Sequence, residues 1–276
     1  MSGGFLDEMA RGSRERLRAA QRLRSHASLE GALRQLPPAP RLQLHASGFD
    51  LIAELKLRSP AQGQLKGADE DLAARVAAYA AGGAAAVSVL TEPGRFDGTL
   101  AHLEDAAQVL SALQVPAMRK DFLVDPYQVL EARVAGAGGV LVILRMLPRA
   151  ATEALIACAR QLDLFVLLEA FDEADIELME ELIGAAPQGA QLLAGLNCRD
   201  LATLQVVPQR LLELAARLPQ GVPRVAESGV TTAAEAAAVA RAGYQLILVG
   251  SALMQGADPA TLAAGLLAGG RAALGR

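Results

Sequence analysis

The chain is predicted to fold as a single α/β domain, a (β/α)8 TIM barrel with an extra helical segment at its N-terminus. Three observations point there. Eight short apolar runs alternate with helical stretches, the runs show no polar-apolar alternation, and polar residues close almost every run. Strands that are apolar on both sides need cover on both faces, which a parallel sheet wrapped in helices provides. Barrels of this kind reach the 276 residues of this chain as one domain. The expected domain is therefore 1–276, with 1–45 as a leading helical segment.

The leading segment mixes Arg with Leu and Ala, as in Arg14-Glu15-Arg16-Leu17-Arg18-Ala19-Ala20. That spacing predicts one or two amphipathic helices that cap the barrel, and Pro37-Pro38-Ala39-Pro40 ends them. Strands are then predicted at Leu51–Leu55, Ala86–Leu90, Val115–Met118, Val140–Leu144, Leu164–Leu168, Leu192–Leu196, Pro223–Ala226 and Leu246–Val249. Their starts lie roughly 22 to 35 residues apart, about one strand, one helix and two short loops. The helices between them carry start signals. Asp125-Pro126 and Asp258-Pro259 each place Pro after an N-cap, and Thr232 with Glu235 reads as a capping box. Gly82, Gly136 and Gly243 follow last helical turns, where a left-handed cap favours a residue without Cβ. An open doubly wound sheet is the alternative the same rhythm leaves, but no Gly-x-Gly-x-x-Gly turn follows the first strand.

Composition excludes several function classes. With 52% hydrophobic and 20% charged residues the chain is globular, and a net charge of -4 leaves no basic footprint for nucleic acid. The longest apolar stretch, Val76 to Leu90, is mostly Ala and Gly and is broken at Gly82-Gly83, a poor membrane span. Two cysteines, Cys158 and Cys198, build no disulfide framework, and a reducing, cytoplasmic setting is the simpler expectation. His26, His45 and His102 are scattered, so no metal site and no serine–histidine pair is expected.

What remains is the charge at the strand ends: Glu54 and Lys56, Ser88 and Thr91, Lys120, Glu169, Asn197 and Arg199, Glu227 and Ser228, Gly250 and Ser251. In a parallel barrel these ends converge on the face that carries the active site. Glu54 and Lys56 are two apart and share one face of a strand. Each burial of a charge costs several kcal/mol, so a crowd of them at a barrel mouth is better explained by a ligand or a reaction than by stability. Arg145, after Leu144, reads as structural. Two turns add a second signal, Glu227-Ser228-Gly229 after the seventh strand and Val249-Gly250-Ser251 after the eighth. Glycine lets the backbone approach a ligand, and free N–H groups in this pair of loops bind phosphate in many barrels. A phosphorylated small molecule is the expected partner.

These blocks resemble the indole-3-glycerol phosphate synthase family of tryptophan biosynthesis. The matching residues are Ile52-Ala53-Glu54-Leu55-Lys56 with Ser59-Pro60; Val89-Leu90-Thr91-Glu92; Arg119-Lys120-Asp121-Phe122 running into Asp125-Pro126-Tyr127-Gln128; Leu168-Glu169; Asn197-Cys198-Arg199-Asp200-Leu201; Ala226-Glu227-Ser228-Gly229; and Val249-Gly250-Ser251-Ala252-Leu253-Met254. The resemblance implies a decarboxylating ring closure of 1-(2-carboxyphenylamino)-1-deoxyribulose 5-phosphate, with no metal or organic cofactor. It implies catalytic roles for Glu54, Lys56, Lys120, Glu169, Asn197 and Glu227, with Lys120 the first general acid, its pKa lowered by burial or by nearby Lys56. It implies substrate contacts from Ser59, Phe122, Arg199, Ser228, Gly229, Gly250 and Ser251. Association with other tryptophan-pathway enzymes is compatible with it. Cys198 and Asp97-Gly98-Thr99 depart from the family pattern without removing a proposed catalytic group, and they leave room for a paralogue with a modified substrate.

Two rival readings stand beside it. A phosphosugar isomerase barrel typically carries Cys or Asp at the first strand end, where this chain has Glu54 and Lys56. A non-catalytic metabolite-binding barrel is expected to have lost charged strand-end residues, and all are present.

Overall fold

The computed structural model describes residues 4–66, 70–201 and 203–275. Residues 1–3 of the predicted leading segment and residue 276 lie outside them. Eight strands close a barrel: β1 Asp50–Leu55, β2 Ala86–Leu90, β3 Ala117–Lys120, β4 Gly139–Ile143, β5 Phe165–Ala170, β6 Gln191–Asn197, β7 Arg224–Glu227 and β8 Leu246–Val249. Each runs parallel to its neighbours, and β8 returns to β1 through Asp50↔Leu246 to Ala53↔Val249. The helices are α1 Phe5–Leu23, α2 His26–Leu33, α3 Leu72–Ala81, α4 Pro93–Phe96, α5 Leu100–Ala112, α6 Pro126–Val134, α7 Arg149–Gln161, α8 Glu173–Ala185, α9 Gln209–Glu213, α10 Ala233–Arg241, α11 Ser251–Gln255 and α12 Pro259–Ala273. None is long and apolar enough to cross a membrane.

Strand parity divides the core in two. Leu51, Ala53, Val87, Val89, Val140, Val142, Val166 and Leu168 point outward into a large cluster under the helices. Ile52, Ala86, Met118, Leu141, Phe165, Leu167, Leu193, Val225, Leu246 and Leu248 point inward and fill the barrel. Side chains two residues apart share a face. The positions that follow the inward set at the C-terminal ends, Glu54, Lys120, Glu169, Asn197, Glu227 and Gly250, are therefore stacked on top of this apolar plug.

The predicted start signals form as expected. Asp125 accepts from Tyr127 N at 2.9 Å, Asp258 accepts from Thr261 N at 3.0 Å, and Thr232 with Glu235 completes a capping box. Gly136 and Gly243 have φ of 89° and 100°, but Gly82 does not: its φ is −74° and the left-handed residue is Gly83, at 91°. A β-carbon on Gly82 would lie 2.7 Å from the Ala260 carbonyl oxygen, so this glycine serves the close approach of α12 to α3 instead. The third strand also begins later than predicted. Val115 N bonds to Leu110 O and finishes α5, while β3 extends past Met118 to Lys120.

The amphipathic leader forms α1 and α2. Arg16 of α1 reaches Asp121 at 2.9 Å, Ser13 accepts from Gln128 Nε2 at 2.9 Å, Tyr127 donates to Arg24 O at 2.7 Å, and the Phe5 ring meets Phe122 edge-on at 5.9 Å. These contacts fall on the loop that follows β3 and on the first turn of α6, so α1 lies across one side of the barrel mouth. Arg145 turns away from the mouth to Asp172 and Asp175 and stacks over Phe171.

Candidate active site

One cavity of about 360 Å³ opens at the C-terminal end of the barrel. It brings together Glu54, Lys56, Ser59, Lys120, Phe122, Glu169, Asn197, Arg199, Glu227, Ser228, Gly229, Gly250 and Ser251, every residue to which the resemblance gave a role, while Ser88 and Thr91 of the strand-end set do not line it and Thr91 bonds Asp121 instead. Strand parity delivers the charged ones to its floor. The chain from Phe5, Leu6, Phe96 and Leu201 supplies apolar wall. Those wall residues escaped the sequence reading because they lie on α1, α4 and a loop rather than at strand ends. An aromatic at the start of an amphipathic leader was the available signal for Phe5.

Lys120 is the centre of the floor. Its Nζ is 3.5 Å from Glu169, 3.6 Å from Glu227 and 4.0 Å from Glu54. A relay of hydrogen bonds extends from Glu169: Asn197 Nδ2 donates to Glu169 Oε1 at 2.8 Å, and Asn197 Oδ1 accepts from Ser228 Oγ at 2.9 Å and Arg199 N at 3.0 Å. Lys56 pairs with Glu54. The Arg199 guanidinium is tied to its own loop, donating to Leu204 O at 2.8 Å.

Protonation differs from the sequence expectation. Burial works against the Lys120 ammonium, but Glu169, Glu227 and Glu54 outweigh it and hold the group above the usual lysine range. Lys56 does not supply the expected opposing charge, because it is spent on Glu54. Burial likewise works against the Glu54 carboxylate, and Lys56, Lys120 and Arg199 hold it below the ordinary value. Glu227 goes the other way. Burial and the neighbouring Glu169 raise it well above the ordinary carboxyl range, and neither of its oxygens has a hydrogen-bond partner among the described residues. The floor thus holds carboxyls in opposite states around one cation, the arrangement that separates acid from base roles.

The rim carries the two turns. Ser228 and Gly229 both have left-handed backbone, φ of 66° and 74°, and a non-glycine residue held there is a costly conformation that surrounding structure must maintain. Gly250 begins α11, and a β-carbon there would overlap Glu54 Oε1 and lie 3.0 Å from Lys56 Nζ. Glycine at 250 is what lets the β8 turn close over the Glu54–Lys56 pair. Asp121, next to Lys120 in the chain, is held by its own set of partners: it accepts from Thr91 Oγ1 at 2.8 Å and Phe122 N at 2.8 Å, and pairs with Arg16 and Arg119. Among the described residues no group of three or more His, Cys, Asp or Glu is arranged to hold a metal ion.

A family model described as indole-3-glycerol phosphate synthase matches residues 6–266. A protein of that description from Parafrankia sp. (strain EAN1pec) is 41% identical over 267 residues, covering 96% of each chain. Another from Nocardioides sp. (strain ATCC BAA-499 / JS614) is 40% identical over 256 residues, covering 92% of this chain and 94% of that one. Among solved structures, thiamine phosphate pyrophosphorylase from Pyrococcus furiosus superposes with a TM-score of 0.59 at 15% identity, over 82% of this chain and 98% of that one. The last likeness is one of fold.

Proposed function

The chain belongs to the indole-3-glycerol phosphate synthase family, enzymes of tryptophan biosynthesis, and from that premise we propose the course of the reaction and the residues that drive it. The substrate is 1-(2-carboxyphenylamino)-1-deoxyribulose 5-phosphate. The ring carbon that bears the carboxylate attacks the ribulose ketone carbon, forming a C–C bond, while the ketone oxygen takes a proton. The carboxylate then leaves as carbon dioxide, and its bonding electrons restore the ring. Finally the new hydroxyl leaves as water after protonation, and loss of a proton from the former C1 methylene, now a member of the five-membered ring, forms the indole double bond.

One observation carries the assignment: a lysine ammonium, Lys120, on the floor of an apolar-walled cavity with three carboxyls within 4.0 Å. Lys120 donates to the ketone oxygen. An oxygen becoming an alkoxide is far more basic than any lysine, so an ammonium held above its usual range still transfers its proton downhill. Glu169, hydrogen-bonded to Asn197, handles the proton transfers of dehydration. Glu54 holds Lys120 and Lys56 in place, and the protonated Glu227 carboxyl donates to a substrate hydroxyl. Lys56 and the turns at Ser228-Gly229 and Gly250-Ser251 take the phosphate, Arg199 the anthranilate carboxylate, and Phe122 with Ser59 the substrate's aromatic end. Cytoplasmic work beside other tryptophan-pathway enzymes is part of the same proposal, and its support is membership in the family.

The test is the appearance of indole fluorescence when purified protein meets this substrate. Lys120→Ala is expected to lower kcat by about 10²–10⁴, the worth of a positioned general acid, with the circular dichroism spectrum unchanged. A folded wild-type protein that forms no indole product overturns the assignment.

A further inference from the structure

Strand β6 carries a glycine in its interior, at an inward-facing position directly below Asn197. Glycine weakens a strand, and here the backbone is extended, a conformation any residue adopts. Space is the remaining explanation. A β-carbon at Gly195 would overlap Glu227 Oε1 and lie 2.8 Å from Leu167 Cδ1 and 3.1 Å from the Leu168 carbonyl oxygen.

Glu227 stands on the adjacent strand, with Asn197 opposite it in the β6–β7 register. Its side chain is only 1% exposed. Few polar contacts fix it: no group among the described residues donates to either oxygen, the Lys120 ammonium stands 3.6 Å from Oε2, and only the Glu169 carboxyl is placed to accept its proton. Shape therefore has a large part in setting its position, and the hollow left by the missing side chain at Gly195 lies against Oε1. We propose that Gly195 is a positioning residue for the reaction, whose absent side chain seats the Glu227 carboxyl beside Lys120 and Glu169. The proposal rests on the catalytic reading given above for Glu227.

The two atoms a β-carbon would press hardest, Glu227 Oε1 and Leu167 Cδ1, are far ends of flexible side chains, and only the Leu168 carbonyl belongs to the backbone. The side chains yield at little cost, but a yielding Glu227 leaves its seat. Gly195→Ala is thus expected to damage turnover more than stability. A displacement on the order of 1 Å at a reacting group costs up to about 10²-fold, so kcat should fall at least tenfold, with KM changed less than threefold.

The experiment measures kcat, KM and Tm for Gly195→Ala, alone and combined with Glu227→Asp and with Glu227→Ala. Glu227→Asp withdraws the carboxyl by one methylene and should make Gly195→Ala less harmful than it is in the wild type. In the Glu227→Ala background Gly195→Ala should cost no further kcat. Equal losses in all three backgrounds, or unchanged kcat in Gly195→Ala, overturn the proposal. So does a loss of folded protein that Glu227→Ala does not relieve, since Gly195 would then serve packing alone. Wild-type protein without turnover is a different failure, that of the reaction assignment, and is read from the same assay before any variant is compared.

Discussion

At the scale of single residues, the floor of the cavity separates groups by charge state. Lys120 keeps its proton because the Glu169 and Glu54 carboxylates stand beside it, and Glu227 keeps its proton because burial and Glu169 oppose its ionisation. The basic limb of any pH–rate profile should therefore not report Lys120. Glu227 has a consequence for stability as well. Its folded pKa is raised, so its contribution is fully present below the unfolded carboxyl value near 4.5 and is lost as pH rises through the folded value. Glu227→Gln, a neutral isostere, should match the wild type in Tm near pH 4, exceed it increasingly as pH climbs from the unfolded towards the folded value, and keep a constant lead above that, while losing activity throughout. A Tm difference that is flat in pH, measured by calorimetry from pH 4 to 9, would show that Glu227 is not buried as a neutral acid. Sequence identified Lys120 and Glu227 through their places at strand ends. It missed the protonation pattern, since Lys56 pairs with Glu54 instead of leaving an uncompensated positive charge beside Lys120.

Among elements, the strands were the easiest to read. Their apolar runs and closing polar residues follow directly from burial on both faces, and period-two parity then aims Glu54, Lys120, Glu169, Asn197 and Glu227 at one point. The boundaries at Val115 and Gly82 are harder, because small and apolar residues suit both a helix end and a strand start: the bond from Val115 N to Leu110 O decides the first, and the packing of α12 on α3 the second. The seat of α1 was least accessible, since Arg16 and Ser13 find their partners, Asp121 and Gln128, more than a hundred residues along the chain. That seat is testable. Asp121 is buried, and Arg16 supplies one of its charged partners at 2.9 Å. Hydrogen bonds to charged groups contribute about 1.5–3 kcal/mol, so Arg16→Leu should raise the opening equilibrium of α1 roughly ten- to hundredfold. Hydrogen exchange across residues 5–23 would register it, with KM rising because Phe5 and Leu6 leave the cavity wall. Exchange rates like those of the wild type would mean that the aromatic contact and Ser13 suffice.

For the whole molecule, the relevant fact is that the rim of the site is built where the barrel closes. Strand β8 joins the chain's end to β1, and its turn at Gly250 packs on Glu54 of β1 and on Lys56 just past it, while the Ser228-Gly229 turn of β7 lies one strand away. An anion held between these turns and Lys56 bridges the first and last strands, so its binding energy adds to the stability of the closed barrel as a unit. A ligand that binds only the folded state stabilises it by RT ln(1 + [L]/Kd), about 2.7 kcal/mol at a hundredfold excess over Kd. In a chain of this size that corresponds to a rise in Tm of roughly 5 to 10 °C. Inorganic phosphate should therefore raise the Tm of the wild type in proportion to the logarithm of its concentration. Gly250→Ala should abolish the rise, because its methyl group displaces the Glu54–Lys56 pair from beneath the turn. An undiminished phosphate effect in Gly250→Ala would place the anion elsewhere on the molecule, and the same outcome would detach Lys56 from phosphate binding.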